Sequence, residues 1–194
     1  MIIFLQIWGG AFYLLAKIFL SRAEGLNNSQ KWRTIGWIVY LVGVPAWVIV
    51  LALDKNWIAM AVEAGGVPAI ILGIVVAVKK LEHAPHLLDV VTKIIVWVLV
   101  ILGIFYSVYE HRGITSFSQL LELGVTAGFL IGSYLLAKKN KSGWLWFMLM
   151  NISMGILMLI YGKIIFAILQ LISLGFVVSG YIRAKNKQRD TIIK

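Results

Sequence analysis

Long apolar runs alternate with short polar gaps along this chain. Seven runs, at residues 3–20, 35–53, 57–78, 87–106, 117–137, 143–161 and 164–182, hold few charged side chains, while Lys, Arg, Asp and Glu gather between them. Each run is close to the roughly 20 residues that a helix needs to cross about 30 Å of hydrocarbon. None has the strict alternation of a barrel strand, so each is predicted to be a transmembrane helix whose backbone satisfies its own hydrogen bonds. The first run has no basic residues ahead of it and its first charge, Lys17, falls at its far end, which predicts a retained helix and not a cleaved leader.

Composition agrees with this pattern. With 61% hydrophobic residues, 13% charged residues and a mean hydropathy of +0.92, the 194-residue chain is expected to be an all-α integral membrane protein. The absence of cysteine excludes disulfides, thiolate chemistry and iron–sulfur ligation.

Charge adds sidedness. Taking seven crossings, Lys55, Arg112 and Lys163 fall on one side, and the other fifteen of the eighteen Lys and Arg fall on the opposite side. Such a bias places the fifteen in the cytoplasm, with the N-terminus out and the C-terminus in. Six or eight spans would scatter these charges over both sides. The net charge of +10 therefore reads as contact with the lipid bilayer's anionic headgroups and not as nucleic-acid binding.

The chain also repeats. Tyr-Leu-Leu-Ala-Lys occurs at Tyr13 to Lys17 and at Tyr134 to Lys138, and Gly36-Trp37 is matched by Gly143-Trp144. From there the stretches run in parallel at an offset of 107 residues to Lys80 and Lys187, with Gly73 opposite Gly180, although only seven of 46 aligned positions are identical. Helices 1 to 3 thus correspond to helices 5 to 7, and helix 4 links them. Four crossings separate equivalent helices, so the copies share one orientation and are parallel repeats about an axis along the membrane normal. The expected division is 1–80 for the first repeat, 81–114 for the linker helix and its loops, 115–184 for the second repeat and 185–194 for a basic cytoplasmic tail.

Polar side chains inside the runs mark candidate sites, because they are costly in hydrocarbon and face a bundle interior or a cavity. Glu63 and Gln170 are equivalent under the 107-residue offset and lie at one depth. Each reads either as half of a central site or as an interhelical hydrogen bond. Asn151 is near the middle of helix 6 and offers two donors and an acceptor to a solute. Trp144, Trp146 and Phe147 lie within about two turns of it and suit a flat ring, a cationic one included. Glu122, in the outer part of helix 5, reads either as a site residue or as a side chain snorkelling to solvent. Asp89 and Lys93 are spaced to pair along helix 4. Pro45, Pro68, Gly65 and Gly66 are expected to kink helices 2 and 3.

Enzymatic signals are weak. His83, His86 and Asp89 have metal-ligand chemistry, but Pro85 breaks the helical spacing between them. No phosphate loop, nucleophile elbow or zinc-protease motif occurs, and no Lys in helix 7 could carry a retinal Schiff base. No enzyme activity, cofactor or metal is expected.

The run from Glu122 through Tyr134-Leu-Leu-Ala-Lys138-Lys139, Gly143-Trp144 and Asn151 to Gly162, Ala167, Gln170 and Gly180 resembles the C-terminal half of the PnuC family of bacterial vitamin transporters. That resemblance implies a 3+1+3 arrangement of the SWEET and PnuC kind, and facilitated diffusion of an unphosphorylated vitamin or nucleoside. It also implies a bacterial inner-membrane homotrimer whose substrate is trapped by a cytoplasmic kinase. Family binding roles would fall on Trp144, Asn151 and Gln170, with Glu122 a further carry-over. The chain departs from the family at Phe147, Ser142, Ser133 and Ala184. A cationic pyridinium would suit Trp144 and Glu63, which favours nicotinamide riboside, then thiamine. A sugar or other small-solute carrier of the same build, or a helical membrane protein without transport activity, are the alternatives.

Overall fold

The computed structural model describes residues 2–25, 29–53, 57–110 and 112–193, without the side chains of residues 58, 188 and 190–193. Lys55 and Lys194, both part of the charge count, lie outside the described residues. The described residues form α1 (Ile2–Gly25), α2 (Ser29–Leu53), α3 (Trp57–Gly65), α4 (Val67–Val78), α5 (His86–Glu110), α6 (Phe117–Ala137), α7 (Ser142–Ile160) and α8 (Ile164–Ile193). They supply seven spans long and apolar enough to cross a membrane, with α3 and α4 together making the third. The protein is an all-α multi-span membrane protein.

Several helices run past the apolar runs, α2 from Ser29 and α5 to Glu110 among them, and one extension changes the chemistry. Helix α1 continues to Gly25, so Lys17 lies about 12 Å inside its end instead of at it. Helix α8 runs to Ile193, so the basic tail extends the last span as helix. A run's hydropathy marks where lipid ends, but the backbone keeps its helical bonds beyond that point while the residues are good helix formers.

The prolines act differently from each other. Pro45 is accommodated inside an unbroken α2. Pro68 sits in the first turn of α4, where its missing N–H is no loss, and the chain breaks just before it at Gly66. There Gly66 N–H donates to both Val62 and Glu63 carbonyls, at 3.2 Å each. Side chains at the break would collide: a Cβ on Gly65 would overlap Leu99, and one on Gly66 would come within 2.4 Å of Phe129. The break therefore lets α5 and α6 press close against the third span.

Packing follows a recurring scheme. Helix α1 packs on α2, which packs on α3 and α4; α6 packs on α7, which packs on α8. Between these groups α1 meets α8, and α4 meets α6. Small residues permit the close approaches, as is usual where helices associate within lipid. A Cβ on Gly73 would stand 2.4 Å from Trp37, and one on Gly180 would stand 2.8 Å from Trp144. Likewise Gly36 lies against Leu20 and Gly143 against Leu136.

The last pair corrects the register of the first helices. Leu20 precedes Gly36 by sixteen residues, whereas Leu136 precedes Gly143 by seven, and Phe12 against Gly43 matches Gly128 against Met150 at the same shift. Equivalent positions of α1 and α6 are thus 116 apart, which pairs Lys17 with Ser133. The two pentapeptides do not coincide: Lys17 is buried in the bundle, while Lys138 caps the end of α6. The longer facing ends of α1 and α2 shift the register and make the five-residue identity incidental.

The basic end is tied by polar contacts. Asp89 pairs with Lys138 at 2.9 Å and accepts from the Tyr134 hydroxyl at 2.7 Å, so its hydrogen-bond partners are on α6 and its turn, and Lys93 acts on it only through its charge. Lys139 donates to the Leu81 carbonyl at 2.6 Å, and burial, then the Arg33 charge, hold its ammonium below the ordinary lysine range. Asp89→Asn should cost about 1 kcal/mol or less, because the pair is part-exposed, and chemical denaturation of the purified protein would measure it.

A polar layer at the centre of the bundle

The most unusual residue in the interior is Lys17. It is 3% exposed, and its ammonium donates to Asn151 Oδ1 at 3.1 Å. Asn151, 2% exposed at the middle of α7, uses its Nδ2 to donate to the Phe147 carbonyl at 2.6 Å, which fixes the amide with its oxygen toward Lys17. The ammonium also lies over the Phe147 ring, 5.8 Å from its centroid. Among the described residues no carboxylate forms an ion pair with it: Glu24 is engaged by Arg33 at 2.9 Å, and Asp89 by Lys138. A buried charge with a single amide partner is expensive, so the surrounding packing must hold it there.

That packing is aromatic. Phe147 stands edge-on to Tyr40, with ring centroids 6.4 Å apart, and to Trp144 at the same separation. Tyr40 stacks on Trp37 at 6.1 Å and meets Tyr13 at 4.6 Å and Phe129 at 6.3 Å. Trp37, Tyr40, Trp144 and Phe147 are all fully buried. The hydroxyls of Tyr40 and Ser133 face each other, and neither has another partner among the described residues. The Tyr13 hydroxyl and Trp37 Nε1 are also buried without partners.

The layer is related to itself by the two registers. Tyr40 corresponds to Phe147 at 107 residues, and these rings touch. Lys17 corresponds to Ser133 at 116 residues; Lys17 lies on Phe147, and Ser133 faces Tyr40. Each contact is the counterpart of the other. The polar chemistry is unequal, however, because Val44 stands where Asn151 would be repeated.

The residues singled out from the sequence divide into three places. Asn151 and Phe147 belong to this layer. Trp144 lies nearer the basic end, where it packs on Gly180 and its Nε1 donates to Glu24 Oε1 at 3.4 Å, and Trp146 is half-buried against the same core. Glu63 and Gln170 are half-buried, and in both the Oε1 atom is buried without a hydrogen-bond partner, an equivalence the 107-residue offset anticipates. Glu122 is exposed and accepts from the Tyr161 hydroxyl at 3.3 Å; burial, then the carboxylate, raises that hydroxyl above the usual tyrosine range. Among the described residues no group of His, Cys, Asp or Glu gathers as a metal site, and Asp89 is held by Tyr134 and Lys138 away from any such role.

Lys17 and Tyr40 were not singled out as site residues by the sequence, and Ser133 was noted only as a departure from the family pattern. The signal for Lys17 was nevertheless present: Ile18, Phe19 and Leu20 continue the apolar run past it before Arg22. Tyr40 was legible as the register partner of Phe147. Comparison with family models, curated proteins and solved structures gave no match.

Proposed function

We propose that this protein is a membrane transporter of 3+1+3 build, which moves a small unphosphorylated solute by facilitated diffusion between its two triple-helix halves. The observation that carries this reading is the paired layer at the centre: Tyr40 touches Phe147, and Lys17 and Ser133 flank them in matching positions. The recurrence of Trp37 on Gly73 as Trp144 on Gly180 supports the same two-fold relation. In transporters with parallel repeats the site lies near the bilayer midplane at the repeat interface, and the halves rock around it. Here the fully buried rings would close the route, and separating Tyr40 from Phe147 would open it. The unpartnered Glu63 and Gln170 would line the approach from the other end. A polar cluster that served only to hold helices together would leave fewer donors unmatched.

The resemblance to PnuC extends the reading to a vitamin or nucleoside, a bacterial inner membrane, a homotrimer and a kinase that traps the product. Nicotinamide riboside and thiamine are its first two candidates. The test is thermal stabilisation of the purified protein by nicotinamide riboside, thiamine, riboflavin, thymidine and glucose. A ligand at 100 times its Kd should add about 2.7 kcal/mol to stability, and Asn151→Ala should abolish the shift. Stabilisation by glucose alone would move the assignment to a sugar carrier. No shift with any compound would argue against transport of this solute class.

A further inference from the structure

We infer that the solute taken by the central layer carries a carboxylate, and that Lys17 is the group that recognises it. This rests on the transport reading and sharpens its substrate class.

Among the described residues the layer holds an ammonium and no carboxylate beside it. The Lys17 ammonium has three N–H groups, of which one is used by Asn151 and the face of Phe147 receives the charge. Around it stand the buried Tyr13 hydroxyl and Trp37 Nε1, both without partners, and the Tyr40 and Ser133 hydroxyls, which face each other. The side-chain acceptor already in use there is Asn151 Oδ1. An anion placed among these groups would satisfy several donors at once and neutralise the buried charge. A cationic ring would instead add a second positive charge beside Lys17. Among the described residues Glu24 is paired with Arg33 and Asp89 with Lys138, and Glu122 is exposed beside Tyr161. Glu63 lies in the last turn of α3, at the break in the third span. Hydroxyls alone do not distinguish a neutral solute from an acidic one, but an ammonium lacking a carboxylate does, because the missing partner is a charge.

Asn151 supports this assignment by what it withholds. An Asp at that position would complete an ion pair inside the protein and leave nothing for a ligand to neutralise. The amide holds Lys17 in place while leaving its charge unbalanced.

The test compares acids with their uncharged or amide counterparts on the full-length protein: nicotinic acid riboside with nicotinamide riboside, pantothenate with panthenol, and biotin with its amide. At least one acid should stabilise the protein against heat, and its counterpart should bind about tenfold more weakly or worse. Lys17→Met and Asn151→Asp should each remove that preference. Because Lys17→Met removes a buried charge and Asn151→Asp neutralises it, both variants should remain folded, and far-ultraviolet circular dichroism checks this. Equal binding of acid and counterpart, or a preference that survives both substitutions, overturns the proposal. If thymidine, glucose or nicotinamide riboside binds and no acid does, the carboxylate inference falls while transport stands. If no compound binds, both fall.

Discussion

Replacing Asn151 with leucine should destabilise the protein by about 3 kcal/mol, and replacing Lys17 with methionine in the same molecule should restore most of that loss. Leucine removes the hydrogen bond from the buried ammonium to Asn151 and leaves the charge without an acceptor among the described residues. Breaking a buried charged contact from one side costs about 3–5 kcal/mol, chiefly because the other group stays buried and unmatched. Methionine at position 17 has nearly the same length and no charge, so the double variant presents an apolar contact between α1 and α7. The expected signature is strong coupling in a double-mutant cycle of reversible unfolding in micelles. Additive losses would mean that Lys17 and Asn151 do not depend on each other.

Valine at Gly73 or Gly180 should destabilise by about 3 kcal/mol at either site, with Gly73→Val the worse of the two. The first carbon of any side chain would stand 2.4 Å from Trp37 in one case and 2.8 Å from Trp144 in the other. Overpacking of this kind costs about 1–3 kcal/mol, occasionally more, and here the neighbour is a rigid indole. The two tryptophans are fully buried, so neither can swing away into lipid. Combining each valine with Trp→Leu at the facing position should relieve part of the loss in that half and none in the other. Thermal melting of the four variants measures it. Rescue across halves, Gly73→Val relieved by Trp144→Leu, would contradict the packing described.

The number and order of spans were legible because lipid imposes a length and an apolarity that the backbone cannot evade. The match of Gly36-Trp37 with Gly143-Trp144 was legible for a similar reason: an indole against a glycine leaves a rigid, recognisable pair. The register of the first helices was not. Tyr-Leu-Leu-Ala-Lys is a good helical segment anywhere near a membrane boundary, and its copies ended up at different depths, Lys17 inside and Lys138 at the end. Lys17 was assigned to the boundary because a lysine close to the end of an apolar run usually snorkels to water. What kept it inside is Asn151, 134 residues further along the chain, a partner that no local pattern reveals. Tyr40 and Ser133 were missed as site residues because hydroxyls are ordinary in membrane helices, and only the three-dimensional pairing with Phe147 and Lys17 sets them apart. Glu63 and Gln170 were recognised from their offset, and both have a buried Oε1 without a hydrogen-bond partner.

The proposed route takes a solute between the two halves through the Tyr40–Phe147 layer without pumping. Uptake of radiolabelled nicotinic acid riboside, pantothenate, thymidine and nicotinamide riboside into liposomes containing the purified protein measures this directly. At least one solute should enter saturably, stop when inside and outside concentrations are equal, and exchange against unlabelled solute, and Asn151→Ala should reduce its entry to that of protein-free liposomes. Entry no faster than into protein-free liposomes for every solute, or full activity in Asn151→Ala, would contradict the account.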